Sequence, residues 1–337
     1  MELVTGSPFH FNLNGTLYGC LSKKNIYLKQ VYLHFQNRYL FMLFMLLHVQ
    51  VTFSQPNSSS SKKAYDADRF TKIIVTESVV TSCVLISLHY LWYKKYPHSR
   101  FHFFNDNKEW FGMDKLGHAT TAYNISTVQS GIMQSAGINN RDAAWIGGLT
   151  ALGFQTIIEI FDGFSQNWGF SPGDMLANMA GTALFLGQQF AWNEQRVYLN
   201  FSCHHTLYAN YNPEVLGRNK WQRWLKDYNG QTYWLTVNPG SFLAQAHTFL
   251  RWLDVSVGYG GEGMIGASCN PVIIKNKQVA SFTRTHKFLL SVQPDLYRIV
   301  NINSSNSSLL SIPAILKFPA PAFELKNDKL KFTFIYF

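Results

Sequence analysis

Asn140-Arg141-Asp142-Ala143-Ala144-Trp145-Ile146-Gly147-Gly148-Leu149-Thr150-Ala151-Leu152-Gly153-Phe154-Gln155-Thr156-Ile157-Ile158-Glu159-Ile160-Phe161 reads as one apolar helix. Asn140 can cap it, and Arg141-Asp142 open it. The small residues at 143, 144, 147, 148, 151 and 153 let neighbouring helices approach closely. Glu159-Ile160-Phe161-Asp162-Gly163 closes the run with two carboxylates. Too few positions are polar for an ordinary surface helix.

Three further segments share this character. Lys72 to Trp92 is long enough to cross a hydrocarbon core of about 30 Å, with Glu77 inside it as a costly lone carboxylate. Tyr93 to Tyr96 would form an interfacial belt after it. A second helix runs from Asp114 to about Gln134, and another follows Ser171-Pro172-Gly173, opens at Asp174 and reaches Trp192. Only 14% of the chain is charged, against about 25% in soluble domains, and 16% is aromatic. That excludes a disordered chain or a coiled coil and points to a membrane or a large buried surface. The net charge of +10 is dispersed, without the stripe or finger spacing that nucleic acid would need. An anionic membrane surface is the expected partner of the excess charge. The four cysteines form no CxxC pair, which argues against a cysteine-held metal.

Residues 1–54 read as a signal or targeting segment. Lys23, Lys24, Lys29 and Arg38 precede the apolar run 39–49, and small residues at Thr52 and Ser54 suit cleavage before Gln55. Residues 55–64 form a Ser-rich linker, 65–200 the hydrophobic helical domain, and 201–337 an amphipathic helix from Glu214 to Tyr228 with a small β region. Strands are expected near 254–263, 287–300 and 330–337, the last ending in Phe337 like the final strand of an outer-membrane barrel. Four to six strands are too few for a conventional barrel. The fold class expected is mainly α: a membrane-associated helical bundle with a small C-terminal antiparallel β region (α+β).

The polar residues gather at helix ends. Asp114 and His118 share a helical face at i and i+4, as do Glu159 and Asp162 at i and i+3, and Asp174 and Asn178 at i and i+4. Antiparallel packing would bring Asp114, His118, Glu159, Asp162 and Asp174 together. A histidine beside carboxylates can move a proton, and the same types can bind a divalent ion. Equally, buried polar groups in an apolar layer pair to satisfy one another. Lys115 and Asn178 are the candidate ligand-binding positions; no metal or cofactor is specified by these residues.

Asp114-Lys115-Leu116-Gly117-His118, Glu159 with Asp162-Gly163-Phe164-Ser165, and Ser171-Pro172-Gly173-Asp174 with Asn178 and Gly181 resemble the predicted periplasmic lipoprotein family DUF2279 (YfiM-like). The Asp-Lys-x-x-His and Asp-x-x-x-Asn-x-x-Gly parts also resemble VanZ-like membrane proteins. The resemblance implies an envelope location and a helical membrane-associated domain; it carries no activity. No cysteine follows the apolar run 39–49 to take a lipid, so anchoring would fall to the helices or the aromatic surface.

Two functional classes stay open. One is a scaffold or accessory protein of the bacterial cell envelope, favoured because nothing in the sequence identifies a nucleophile or a complete metal set. The other is an enzyme or binding protein acting on a lipid, a lipid-linked phosphate or a cell-wall precursor through the Asp/His/Glu cluster, with Lys115 facing phosphate. Expected partners are membrane lipid and an envelope protein, not nucleic acid. The outer membrane is the preferred location, with the inner membrane as the alternative.

Overall fold

The computed structural model describes residues 65–91, 97–166, 168–243, 248–295 and 315–337. The targeting segment, the Ser-rich linker and the belt at 93–96 lie outside the described residues.

Four long helices come first: α1 (Ala67–Leu91), α2 (Met113–Ser135), α3 (Asn140–Gly163) and α4 (Pro172–Trp192). Local chemistry sets their starts. Asn139, not Asn140, caps α3, accepting from the Asp142 amide, and Ser171 caps α4, accepting from the Asp174 amide. Glycines bring the helices together. A Cβ on Gly147 of α3 would lie 2.4 Å from the Ser126 carbonyl oxygen of α2, and one on Gly181 of α4 would lie 2.0 Å from that of Ala119. Gly153, by contrast, faces open space. α1 joins through Ile73, buried with Ile132, Met133 and Ala143. Its Glu77 accepts from Gln129 Nε2 at 2.7 Å.

The rest of the chain corrects the expected fold class. Among the described residues about 48% are helical and 25% strand, with a six-stranded antiparallel sheet, so the fold is not a helical bundle with a small β appendage. The strands are β1 (Val197–Cys203), β2 (Gln231–Val237), β3 (Leu253–Glu262), β4 (Thr285–Pro294), β5 (Ala320–Lys326) and β6 (Lys329–Tyr336), paired in chain order as a meander. Membrane association through the helices is not confirmed. Among the described residues only α3 is long and apolar enough to cross a membrane, by length and composition alone, and 44% of that window is buried. The amphipathic helix expected at 214–228 is instead two short helices, Pro213–Leu216 and Lys220–Lys226, broken at Gly217 with φ 105°. Lys226, expected on a basic outer side, is buried.

The sheet curls. Tyr336 of β6 hydrogen-bonds Thr232 of β2 at 3.0 Å and meets the Trp234 ring edge-on at 5.7 Å. A bridge pairs Leu316 with Phe201 of β1, and Lys317 follows it into the interior, donating to Ser291 and Gln293. One mouth of the curl opens into a cavity of about 1190 Å³ lined by His204, Glu262, Lys287, Lys326 and Tyr336 among others.

Helices close the outer edge of β1. The Val197 carbonyl accepts from Tyr123 Oη (3.0 Å) and Gln188 Nε2 (2.9 Å), and that of Leu199 from Asn124 Nδ2 (3.0 Å). The Phe201 carbonyl accepts from the Lys317 amide (2.9 Å). The Val197 amide donates to Gln188 Oε1 at 2.8 Å.

Candidate functional site: a buried carboxylate, lysine and histidine cluster

The start of α2, the end of α3 and the start of α4 meet. Asp114, His118, Glu159, Asp162, Asp174 and Asn178 are all buried there, with Glu159 and Asp174 each 1% exposed. Asp114 and His118 sit one turn apart in α2, whose first turn suits a carboxylate because its amides point outward. Asp174 gains the same benefit in α4.

Lys115 lies at the centre. Its Nζ is 2.5 Å from Asp106 Oδ1, 2.7 Å from Asp174 Oδ1 and 3.5 Å from Asp114 Oδ2. Burial acts to lower the Lys115 pKa, but Asp114, Asp174 and Asp106 outweigh it, and the net shift is upward. Ser171 knits the same group: its hydroxyl donates to Asp106 Oδ1 (2.7 Å), and its amide donates to Glu159 Oε2 (3.1 Å).

His118 turns its two nitrogens to different partners. Nδ1 is 3.2 Å from Asn178 Oδ1, which also accepts from Gln155 Nε2 at 2.9 Å. An amide oxygen only accepts, so in this arrangement Nδ1 carries the proton. Nε2 faces Asp174 Oδ1 at 3.6 Å and Glu159 Oε1 at 3.8 Å. Burial pushes the Glu159 pKa up to about 8; His118 opposes that, while Asp174 and Asp162 reinforce it by like charge. Asp162 thus belongs to the electrostatic neighbourhood. Asp114, His118 and Asp174 can present one ligand atom each within 4.8 Å of one another. The Lys115 ammonium, however, sits against both of those carboxylates.

Helix-end periodicity carries the signal for Asp114, His118, Glu159 and Asp174. Four participants lack such a signal. Asp106 comes from an aromatic connector, Gln155 from the middle of α3, Ser171 from a cap, and Tyr228 from far along the chain. Tyr228 Oη donates to Asp114 Oδ1 at 3.1 Å. Of these, Ser171 takes the capping place that the sequence suggests for Asp174.

The helix ends holding these residues fall within one known pattern. Residues 102–187 match the family model described as predicted periplasmic lipoprotein, DUF2279. The DUF2279 segment runs from the connector before α2 into α4, so it holds the cluster apart from Tyr228. It indicates an envelope protein and names no reaction; which membrane it would meet is not part of that description. The VanZ-like resemblance is not shown by this match. No curated protein and no solved structure matches the chain.

Proposed function

We propose that this chain is a scaffold or accessory protein of the cell envelope, and that the cluster is a structural lock rather than a reaction centre. The observation that carries the reading is the position of Lys115, whose ammonium is within 3.5 Å of Asp106, Asp114 and Asp174. A cation held this way has few donors left for a phosphate. It also already neutralises Asp114 and Asp174, two of the three groups that could hold a divalent ion. A lysine, a histidine and several carboxylates, most of them buried, fasten three helix ends to one connector. Removing one partner from such a network is costly because the others stay buried.

The test is His118→Ala in the full chain, with metal analysis of the purified wild-type protein. The lock reading expects a lower melting temperature, lower abundance and no stoichiometric metal. An unchanged melting temperature together with loss of an envelope phenotype would overturn it. So would one equivalent of a divalent metal that Asp174→Asn releases.

A further inference from the structure

We propose that the outer face of the six-stranded sheet contacts the acyl chains of a lipid bilayer, with the polar face of the curl turned inward. The motivation is an inverted pattern of side chains. Leu199, Leu235, Val257, Leu290, Phe323 and Phe332 pair in register across all six strands and form one unbroken apolar row. The last five are each 46–54% exposed. The alternate positions point into the curl, where a soluble sheet would bury its apolar residues. There the buried rows are Tyr198, Thr236, Ser256, Ser291 and Ala322, then Asn200, Trp234, Gly258 and Leu289, then Ser202, Thr232, Gly260 and Lys287: a mostly polar interior around one small apolar cluster of Trp234, Leu289, Ala322 and Tyr336.

Several of the inward polar groups are satisfied by one another. Thr236 and Ser256 hydroxyls are 2.9 Å apart, and Trp234 Nε1 donates to Ser202 Oγ at 2.9 Å. Lys317, 1% exposed, donates to Ser291 and Gln293 and lies over the Trp234 ring. Apolar outward and polar inward, alternating along each strand, is the arrangement of a sheet that meets hydrocarbon outside and polar groups inside.

The occupant follows from charge and length. No outward strand position carries Asp, Glu, Lys or Arg. Protein interfaces retain a polar rim and about one hydrogen bond per 100–200 Å², whereas acyl chains ask for none. β3 and β4 have ten residues each. At about 3.4 Å per residue, tilted by roughly 45°, the six residues of β3 before Tyr259 span about 15 Å, part of the roughly 25 Å apolar band on membrane sheets. At one end the face is covered by the protein itself. Phe201, Tyr233 and Tyr259 pack with Trp110 and Met113, and Tyr259 Oη donates to the Phe111 carbonyl. Lipid contact would therefore begin past this collar.

The experiment uses the full chain reconstituted in vesicles of phosphatidylethanolamine and phosphatidylglycerol. A coumarin amino acid is encoded at Leu290 or Phe323, and at the 70%-exposed Lys275 as control. Lipids brominated on the acyl chains should quench the first two by at least about twofold and leave the control unchanged. Equal quenching at all three positions would indicate loose adsorption and overturn the proposal. Energy transfer between labelled copies without bromine quenching would overturn it in favour of a second copy of the chain. The unlabelled wild type guards against misfolding of the variants: it should stay with floated vesicles after carbonate washing, and full release would also overturn lipid contact by the sheet.

Discussion

Tyr228 Oη donates to Asp114 Oδ1 at 3.1 Å, so a residue just before β2 is tied to the first turn of α2. The bond is buried at both ends, and the Tyr228 ring also lies 5.0 Å from that of Trp110. It links the helical layer to the sheet through the cluster itself. Tyr228→Phe keeps the ring contact and removes only the donor. It should lower stability by about 1–3 kcal/mol, since a buried carboxylate loses one of its donors. Urea unfolding with an unchanged slope but a lower midpoint would be the expected record.

Lys115→Ala leaves Asp106, Asp114 and Asp174 without their shared cation. The expected loss is about 3–5 kcal/mol, the scale seen when one partner of a buried ion pair is removed. Lys115→Arg should rescue only part, because a planar guanidinium cannot reach three divergent carboxylates as a compact ammonium does. Thermal melts of the two variants side by side decide this; equal stability to wild type would remove Lys115 from the lock.

Glu77 sets a pH dependence remote from the cluster. Burial raises its pKa from 4.5 to about 7, with the Gln129 hydrogen bond opposing. A carboxyl whose pKa is raised by folding favours the folded chain below pH 4.5 and loses that contribution as pH rises through about 7. Glu159 acts in the same sense up to about 8. Stability should therefore fall from mildly acidic to neutral pH. Glu77→Gln should flatten the fall by roughly 2–3 kcal/mol. Gln129 Oε1, which has no hydrogen-bond partner among the described residues, would then accept from the new amide. Denaturation midpoints across this pH range provide the check.

Two glycines of α4 should respond oppositely to alanine. Gly181 lies against the α2 backbone, where a Cβ would be 2.0 Å from the Ala119 oxygen, while Gly187 has nothing within 4 Å. Gly181→Ala forces the helices apart and should cost at least about 1–3 kcal/mol. Gly187→Ala removes only chain entropy and should add about 0.5–1 kcal/mol. Melting temperatures moving in the same direction would contradict the packing described here.

The long helices were legible because apolar residues ran in blocks bounded by capping chemistry, as at Ser171-Pro172-Gly173-Asp174. The one-residue error at Asn139 against Asn140 reflects two adjacent residues with equal capping ability. Helix-end positions of Asp114, His118, Glu159 and Asp174 could be read from spacing, whereas Asp106 and Tyr228 are brought in only by tertiary packing. The sheet was harder for a physical reason. Val255-Ser256-Val257-Gly258-Tyr259-Gly260 alternates as a strand should, but its buried half is hydroxyls and glycines, the composition of turns. β1 follows α4 after only a few residues, and its inward Asn200 and Ser202 give no apolar core signal.

The treatment of the β1 edge has a consequence for how chains can associate. The carbonyls of Val197, Leu199 and Phe201 already accept from Tyr123, Gln188, Asn124 and Lys317, so an approaching strand finds no vacancy there. Symmetric pairing of two copies through β1 is closed off. Among the described residues β6 has one strand neighbour, β5. Among the described residues, lengthening of this sheet is open from the β6 side and closed from the β1 side: the meander has a sealed beginning and an open end.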